Sequence, residues 1–313
     1  MVNNNERSNS ISPAKIWAAL LAVYIVWGST YLAIRFSVAT IPPFLMAGVR
    51  FVIAGMILLI WRRAAGDPVP KKIHWRSAAI IGFFLLVGGN GGVVWAEQFV
   101  SSGMAALIVG SVPLWMLVMQ IIAARGRWPR LPVVLGVLIG FGGLAGLLWP
   151  GSNNQTGGNG IASIVLVLAA VSWAVGSVYS KKAELPASPL QGTGLEMLTG
   201  GAGLLVLGLV TGEFQRIDIN AISTQSLLGV GYLIIFGSLV GFAAYTWLLR
   251  SAPTSLVSTY AYVNPVIAIV IGHFLAGEEL TARTVISAAI ILGSVILITQ
   301  TGPKTAPAVE AAD

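Results

Sequence analysis

The chain has 313 residues, of which 56% are hydrophobic and 9% charged, against roughly 25% charged in an ordinary soluble domain. A soluble protein of this size needs more ionised surface than that, so soluble enzyme, nucleic-acid binder and secreted scaffold are excluded. Cysteine is absent and there are two histidines, His74 and His273, which removes disulfides, thiolate chemistry and multi-histidine metal sites.

The apolar residues come in runs of about 20, the length that crosses a hydrocarbon core of roughly 30 Å. Taken between polar and Pro/Gly breaks, they predict ten helices, at 15–35, 41–61, 76–97, 102–124, 132–149, 160–180, 190–210, 226–249, 256–276 and 282–300. The expected class is an all-α polytopic membrane protein. Polar tails, 1–13 and 301–313, are expected to lie outside the packed helices.

Charge orients the spans. One set of connections and tails carries Arg7, Lys15, Arg62, Arg63, Lys71, Lys72, Arg76, Arg125, Arg127, Arg130, Lys181, Lys182, Arg250 and Lys304. The opposite set carries Arg35, Arg216 and Arg283, and Arg50 lies within a span. Basic residues gather on the cytoplasmic side, so fourteen against three predicts both termini in the cytoplasm. The neutral stretch 150–160, PGSNNQTGGNG, then falls outside and separates two halves, 15–149 and 160–300.

The halves resemble each other at an offset of 146–152 residues. WGSTYLAIRF (27–36) lies over WAVGSVYSKK (173–182), and PFLMAGVRFVIAG (43–55) over PLQGTGLEMLTGG (189–201). Trp27 thus matches Trp173, Arg50 matches Glu196, Trp95 matches Trp247 and Pro113 matches Pro265. Five spans per repeat is odd, so the halves must enter the bilayer from opposite sides. This 5+5 inverted repeat is a common plan of secondary transporters, because two pseudo-symmetric halves give outward- and inward-open states similar energy.

VWGSTY (26–31), AGVRF (47–51), GNG (89–91), AE (96–97), SSGMAALIV (101–109), GSVYS (176–180) and STYAYVNPV (258–266) together resemble the EamA family of the drug/metabolite transporter superfamily, nearest its YedA-type bacterial members. The resemblance covers 15–300. It implies a bacterial inner-membrane carrier that exports amino acids or related small metabolites through a cavity between the halves, with no cofactor. Its partners would be a small-molecule substrate and the lipid bilayer, with no nucleic acid, and self-association into a homodimer is left open.

Polar groups inside spans are costly, roughly 2.5–3.5 kcal/mol for a charge at a helix centre, so each is a candidate with a structural alternative. Arg50, Glu97, Glu196 and Arg250 read as gate residues or as structural ion pairs. Arg50 and Glu196, each seven residues past a helix-starting proline, differ in depth by about 10 Å. The expected pairs are therefore Arg50–Glu97 outside and Glu196–Arg250 inside. Asn90, in GGNGG (88–92), shares a helix face with Glu97 and reads as cavity lining or as an interhelical hydrogen-bonding group. Tyr260, Tyr262 and Asn264 belong to a polar run that covers every helical face and so cannot all meet lipid. Trp27, Tyr31, Trp173 and Tyr179 read as cavity contacts or interfacial anchors, whereas Trp17, Trp61, Trp75, Trp128 and Trp149 fit the interfacial belt. His273 reads as interfacial. Pro113 and Pro265 free carbonyls within the fourth and ninth spans and predict bends. Gly136/Gly140, Gly142/Gly146 and Gly237/Gly241 read as helix packing. A phosphate-binding loop, HExxH and a nucleophile elbow are all missing, so transport is expected rather than catalysis. A passive facilitator is the rival reading.

Overall fold

The computed structural model of the protein describes residues 12–123, 131–148, 160–252, 254–257 and 259–301. The extreme tails, the 150–159 stretch and the basic residues Arg7, Arg125, Arg127, Arg130 and Lys304 lie outside the described residues, as do Trp128, Trp149 and the side chains of Arg250 and Tyr262.

The described chain is helical throughout, without strands. Helix α1 (Pro13–Val38) and α2 (Pro43–Ala64) both open on proline, whose missing N–H is no loss in the first turn. Helix α3 (Lys72–Gly82) runs through a π-helical segment, Phe83–Asn90, into α4 (Gly91–Ala96). Then come α5 (Ser102–Val109), α6 (Val112–Ala123), α7 (Leu131–Leu148), α8 (Gly160–Ser180), α9 (Pro189–Val210) and the short α10 (Glu213–Arg216). Helix α11 (Thr224–Tyr232) passes through a second π-helical segment, Leu233–Val240, into α12 (Gly241–Ser251). The short α13 (Thr254–Val257), α14 (Tyr260–Ala276) and α15 (Ala282–Thr301) complete the order. Among the described residues seven helical stretches are long and apolar enough to cross a membrane, and three shorter apolar ones are Leu131–Leu147, Val263–Ala276 and Ala282–Ile298.

Two expectations about bends resolve differently. The fourth span is interrupted ahead of Pro113: the chain turns at Gly110 and Ser111, and Pro113 sits in the first turn of α6. Pro265 lies inside α14. The two irregular points touch, since a Cβ on Gly110 would stand 3.0 Å from Cγ of Pro265.

The most extensive helix contact among the described residues is α2 on α9. A Cβ at Gly55 would sit 2.7 Å from the Leu198 backbone nitrogen and 2.8 Å from the Gly194 carbonyl oxygen. One at Gly201 would sit 2.8 Å from the Val52 nitrogen, and one at Gly48 2.7 Å from Leu205. Lipid tails are as apolar as leucine, so close backbone contact of this kind, rather than burial from water, holds membrane helices together. Around this crossing α7 packs on α15, α1 on α14, α6 on α8, α8 on the first π segment and α1 on α11–α12. Gly136, Gly140 and Gly143 face Ile298, Ser294 and Ile290 on α15. Gly142, expected in this packing, faces open space instead, and Gly143, one residue on, holds the buried face.

Gly55→Ala should lower the thermal midpoint in detergent by an amount corresponding to about 1–3 kcal/mol of overpacking. Gly142→Ala, with open space around it, should leave the midpoint unchanged. Equal midpoints for the two variants, by fluorescence-detected melting, would remove the α2–α9 contact from its central place.

Candidate functional site

Three polar features occupy the interior. The first lies at the end of the bundle that carries the connections 39–42, 97–101 and 277–281. Arg35, near the end of α1, forms an ion pair with Glu278. The Glu278 carboxylate also accepts from Ser102 N (2.8 Å), Ser102 Oγ (2.8 Å) and Gly103 N (3.1 Å). These are the unsatisfied donors of the α5 N-terminus, where the helix dipole favours a negative charge. His273 Nδ1 bonds the Glu278 carbonyl at 2.8 Å, and its ring is exposed, in keeping with an end position.

Glu97, the residue that ends α4, is 2% exposed, and neither carboxylate oxygen makes a hydrogen bond. Its electrostatic neighbours are Glu278, Arg35 and Arg50, and the Arg35 backbone lies beside it without completing a bond.

Arg50 forms the second feature. The expected direct Arg50–Glu97 ion pair is absent: among the described residues the ion pairs are Arg35–Glu278 and Arg62–Asp67. Arg50 Nε instead donates to Ser238 Oγ at 3.0 Å, and its guanidinium carbon stands 4.5 Å from the Phe51 ring centre. Its Nη1 is buried without a partner. The physical reason is the missing side chain at Gly237, where a Cβ would come within 3.1 Å of Nη2, so the second π segment admits the guanidinium. Trp27 meets the same segment, its Nε1 donating to the Gly237 carbonyl at 3.2 Å. Its ring is enclosed by Phe242, Tyr245 and Tyr260 at 5.1–5.2 Å. Such rings bury a large apolar area, and the edge-to-face contacts with Phe242 and Tyr260 contribute about 0.5–1.5 kcal/mol each.

The third feature is a small cavity of about 30 Å³ lined by Leu85, Leu86, Trp173, Thr193, Glu196, Met197 and Phe242. It has room for one or two waters. Glu196 makes no ion pair among the described residues, so the expected Glu196–Arg250 pair rests on an Arg250 side chain outside the described residues. Trp173 packs on the first π segment, 2.8 Å from where a Cβ of Gly89 would lie, and Ser172 Oγ donates to the Phe84 carbonyl at 2.7 Å. Phe242 touches both Trp27 and this cavity, joining the second and third features.

The remaining sequence candidates divide. Tyr31 is half-buried and neighbours Glu97. Asn90 points a buried Oδ1 that has no partner. Tyr260 belongs to the Trp27 box, while Asn264 is buried against α1, its amide placed to donate to the carbonyls of Tyr24 (3.3 Å) and Tyr260 (3.2 Å). Tyr24 and Thr259 hydroxyls bond each other. Tyr179 is 37% exposed at the far end of α8. Glu278, Ser102 and Ser238 were missed. Glu278 had one available signal, a pair of acidic residues, Glu278–Glu279, placed directly after a span in an acid-poor chain.

At the opposite end Arg62 grips Asp67 through two 2.8 Å bonds. That contact, with Ser188, holds the Asp67 carboxyl down to about 2. Ser188 precedes α9. Glu213, on α10, accepts in turn from Phe44 N (3.3 Å) and Leu45 N (2.9 Å) at the start of α2.

Apolar spans around a charged, incompletely paired interior define a polytopic α-helical membrane protein. The model of the EamA-like transporter family matches residues 14–149 and again 160–300, and the chain belongs to that family. A relative named "Uncharacterized inner membrane transporter YedA", from Escherichia coli K12, is 39% identical over 286 residues, covering 91% of this chain and 90% of its own. Protein PagO of Salmonella typhimurium is 25% identical, covering 85% and 86%. A solved crystal structure superposes with a TM-score of 0.60 at 20% identity, over 94% of this chain and 100% of that one, a likeness of fold alone.

Glu278→Ala strips both the Arg35 partner and the acceptor of two backbone N–H groups, whereas Glu278→Gln keeps an acceptor. Unsatisfied buried donors cost about 1–3 kcal/mol. The alanine variant should therefore melt clearly below the glutamine variant. Indistinguishable melting of the two would show that the α5 N-terminus is solvated without Glu278.

Proposed function

We propose that the chain is a secondary transporter of ten spans in a 5+5 inverted repeat, 15–149 and 160–300, working by alternating access. Both termini face the cytoplasm, and the cargo is amino acids or related small metabolites moved outward across a bacterial inner membrane. The observation that carries this reading is that the helix contacts exchange under the repeat offset. Gly48 and Gly55 become Gly194 and Gly201 at 146 residues, and these four form the α2–α9 crossing. The π segments 83–90 and 233–240 are 150 apart. Trp27 packs on the second of them and Trp173 on the first. Asp67 stands at the start of α9 and Glu213, 146 residues on, at the start of α2. Helix α1 on α14 corresponds likewise to α8 on α6.

The inner membrane follows the printed name of the YedA relative. The metabolite class and outward direction follow the family resemblance. Asn90, Glu196, Trp27 and Trp173 are the residues proposed to face cargo, since each lines a cavity, bears an unpartnered polar atom or closes on a π segment.

Reporter tags at either terminus should read cytoplasmic, and a periplasmic readout for either would overturn the ten-span topology. In proteoliposomes preloaded with a mixture of unlabelled amino acids, uptake of a labelled member should be accelerated over empty vesicles. A carrier shows this counterflow and an open pore does not, so uptake that is fast and indifferent to the internal load would establish the facilitator instead.

A further inference from the structure

Of the three carboxylates enclosed at the 39–42, 97–101 and 277–281 end, Glu278, Glu213 and Glu97, the first two have partners and Glu97 has none; Glu279 is exposed. Glu278 has Arg35, Ser102 and Gly103, and Glu213 has the α2 N-terminus. Glu97 is as deeply buried as either and makes no hydrogen bond with either oxygen. A charge in that position lacks both water and donors, while a neutral carboxyl is far cheaper to bury. Its surroundings are mixed in sign. Helix α1 presents Tyr31 and Arg35, α2 presents Arg50, and the connection after α14 presents Glu278, a like charge. Helix α8, also against α4, carries no titratable group over 160–172. Both nearby guanidinium groups are turned elsewhere, Arg35 to Glu278 and Arg50 to Ser238.

We propose that Glu97 is a proton-binding site of the outer gate: the Arg35–Glu278–Ser102 closure forms over a neutral Glu97, and loss of that proton opens it. Opening would hydrate the carboxylate and free Arg35 and Arg50 to face it. The proton comes from the outer solution and returns there, bound and released at a carboxylate oxygen. The proposal rests on the carrier reading above, which supplies the outer gate and its orientation.

The absence of cysteine makes single-cysteine labelling clean. Asn90→Cys, one helix face below Glu97, is exposed to a membrane-impermeant maleimide outside spheroplasts. Its rate is normalised at each pH to Gln98→Cys on the exposed connection, which cancels the reagent's own pH dependence. The normalised rate should rise at least about tenfold between pH 5 and pH 8, as linkage to one proton allows. In a Glu97→Gln background it should stay low at both values, with a ratio below about twofold. Glu97→Asp, which keeps a titratable carboxyl, should restore the pH response. His273 bonds the Glu278 carbonyl beside this closure, so an unchanged ratio in Glu97→Gln would assign the response to another group and overturn the proposal. A ratio near one in the parent Asn90→Cys protein would overturn it equally. Gln98→Cys reads orientation separately: labelling only from the inner side would count against the topology, and the pH ratio would then be read from that side.

Discussion

Inside a bilayer no water is available to satisfy a polar group, so the backbone crossing of α2 and α9 decides where the charges of this protein can go. Gly48 and Gly55 on one helix, and Gly194 and Gly201 on the other, are seven residues apart and occupy the contact. Arg50 and Glu196 each follow the first glycine by two residues, which turns them by about 200°. They therefore point away from the crossing. Neither can reach the other, and each meets a different neighbour: Arg50 the segment Leu233–Val240, Glu196 the cavity beside Phe83–Asn90.

The π-helical segments answer that requirement. A π turn is wider than an α turn, is rare, and tends to mark functional positions. In the second, Gly237 offers a bare surface to Arg50 and a carbonyl to Trp27; in the first, Gly88 and Gly89 offer theirs to Ser172 and Trp173. Each tryptophan thus meets the bare backbone of a π segment as well as neighbouring side chains.

Much of this was legible in the sequence because period and composition determine it. The helix expected at 160–180 is α8, and the proline-started helix near 190–210 is α9. The glycine-rich GGNGG and the matched Arg50 and Glu196 pointed to the right elements. What sequence could not give was rotation about the helix axis. A depth argument put Arg50 and Glu97 at one level and so suggested a pair, but the azimuth of Arg50 is set by glycines on two other helices. Glu278 escaped for a related reason: its partners, Arg35 and Ser102, are 243 and 176 residues away, and no local pattern announces a carboxylate that caps a distant helix. The fourth span breaks at Gly110–Ser111, within the four residues before Pro113 where the missing N–H and the ring interrupt a helix.

The departures from symmetry carry as much information as the symmetry. If two halves were identical, outward- and inward-open states would be equal in energy, and no condition would favour one. Arg50 opposite Glu196 in the repeat breaks that equality with a reversal of charge. One sits beneath an end sealed by Glu278 on the α5 N-terminus; the other lines a cavity and forms no ion pair among the described residues. Whatever neutralises a buried charge changes the energy of its own end by more than a hydrogen bond does, because an uncompensated charge in low dielectric costs several kcal/mol. In the proposed carrier, the balance between the two states rests on a few such groups, Arg50 and Glu97 with unpartnered atoms and Glu196 without an ion pair among the described residues, on a framework set by the glycine crossing and the π segments.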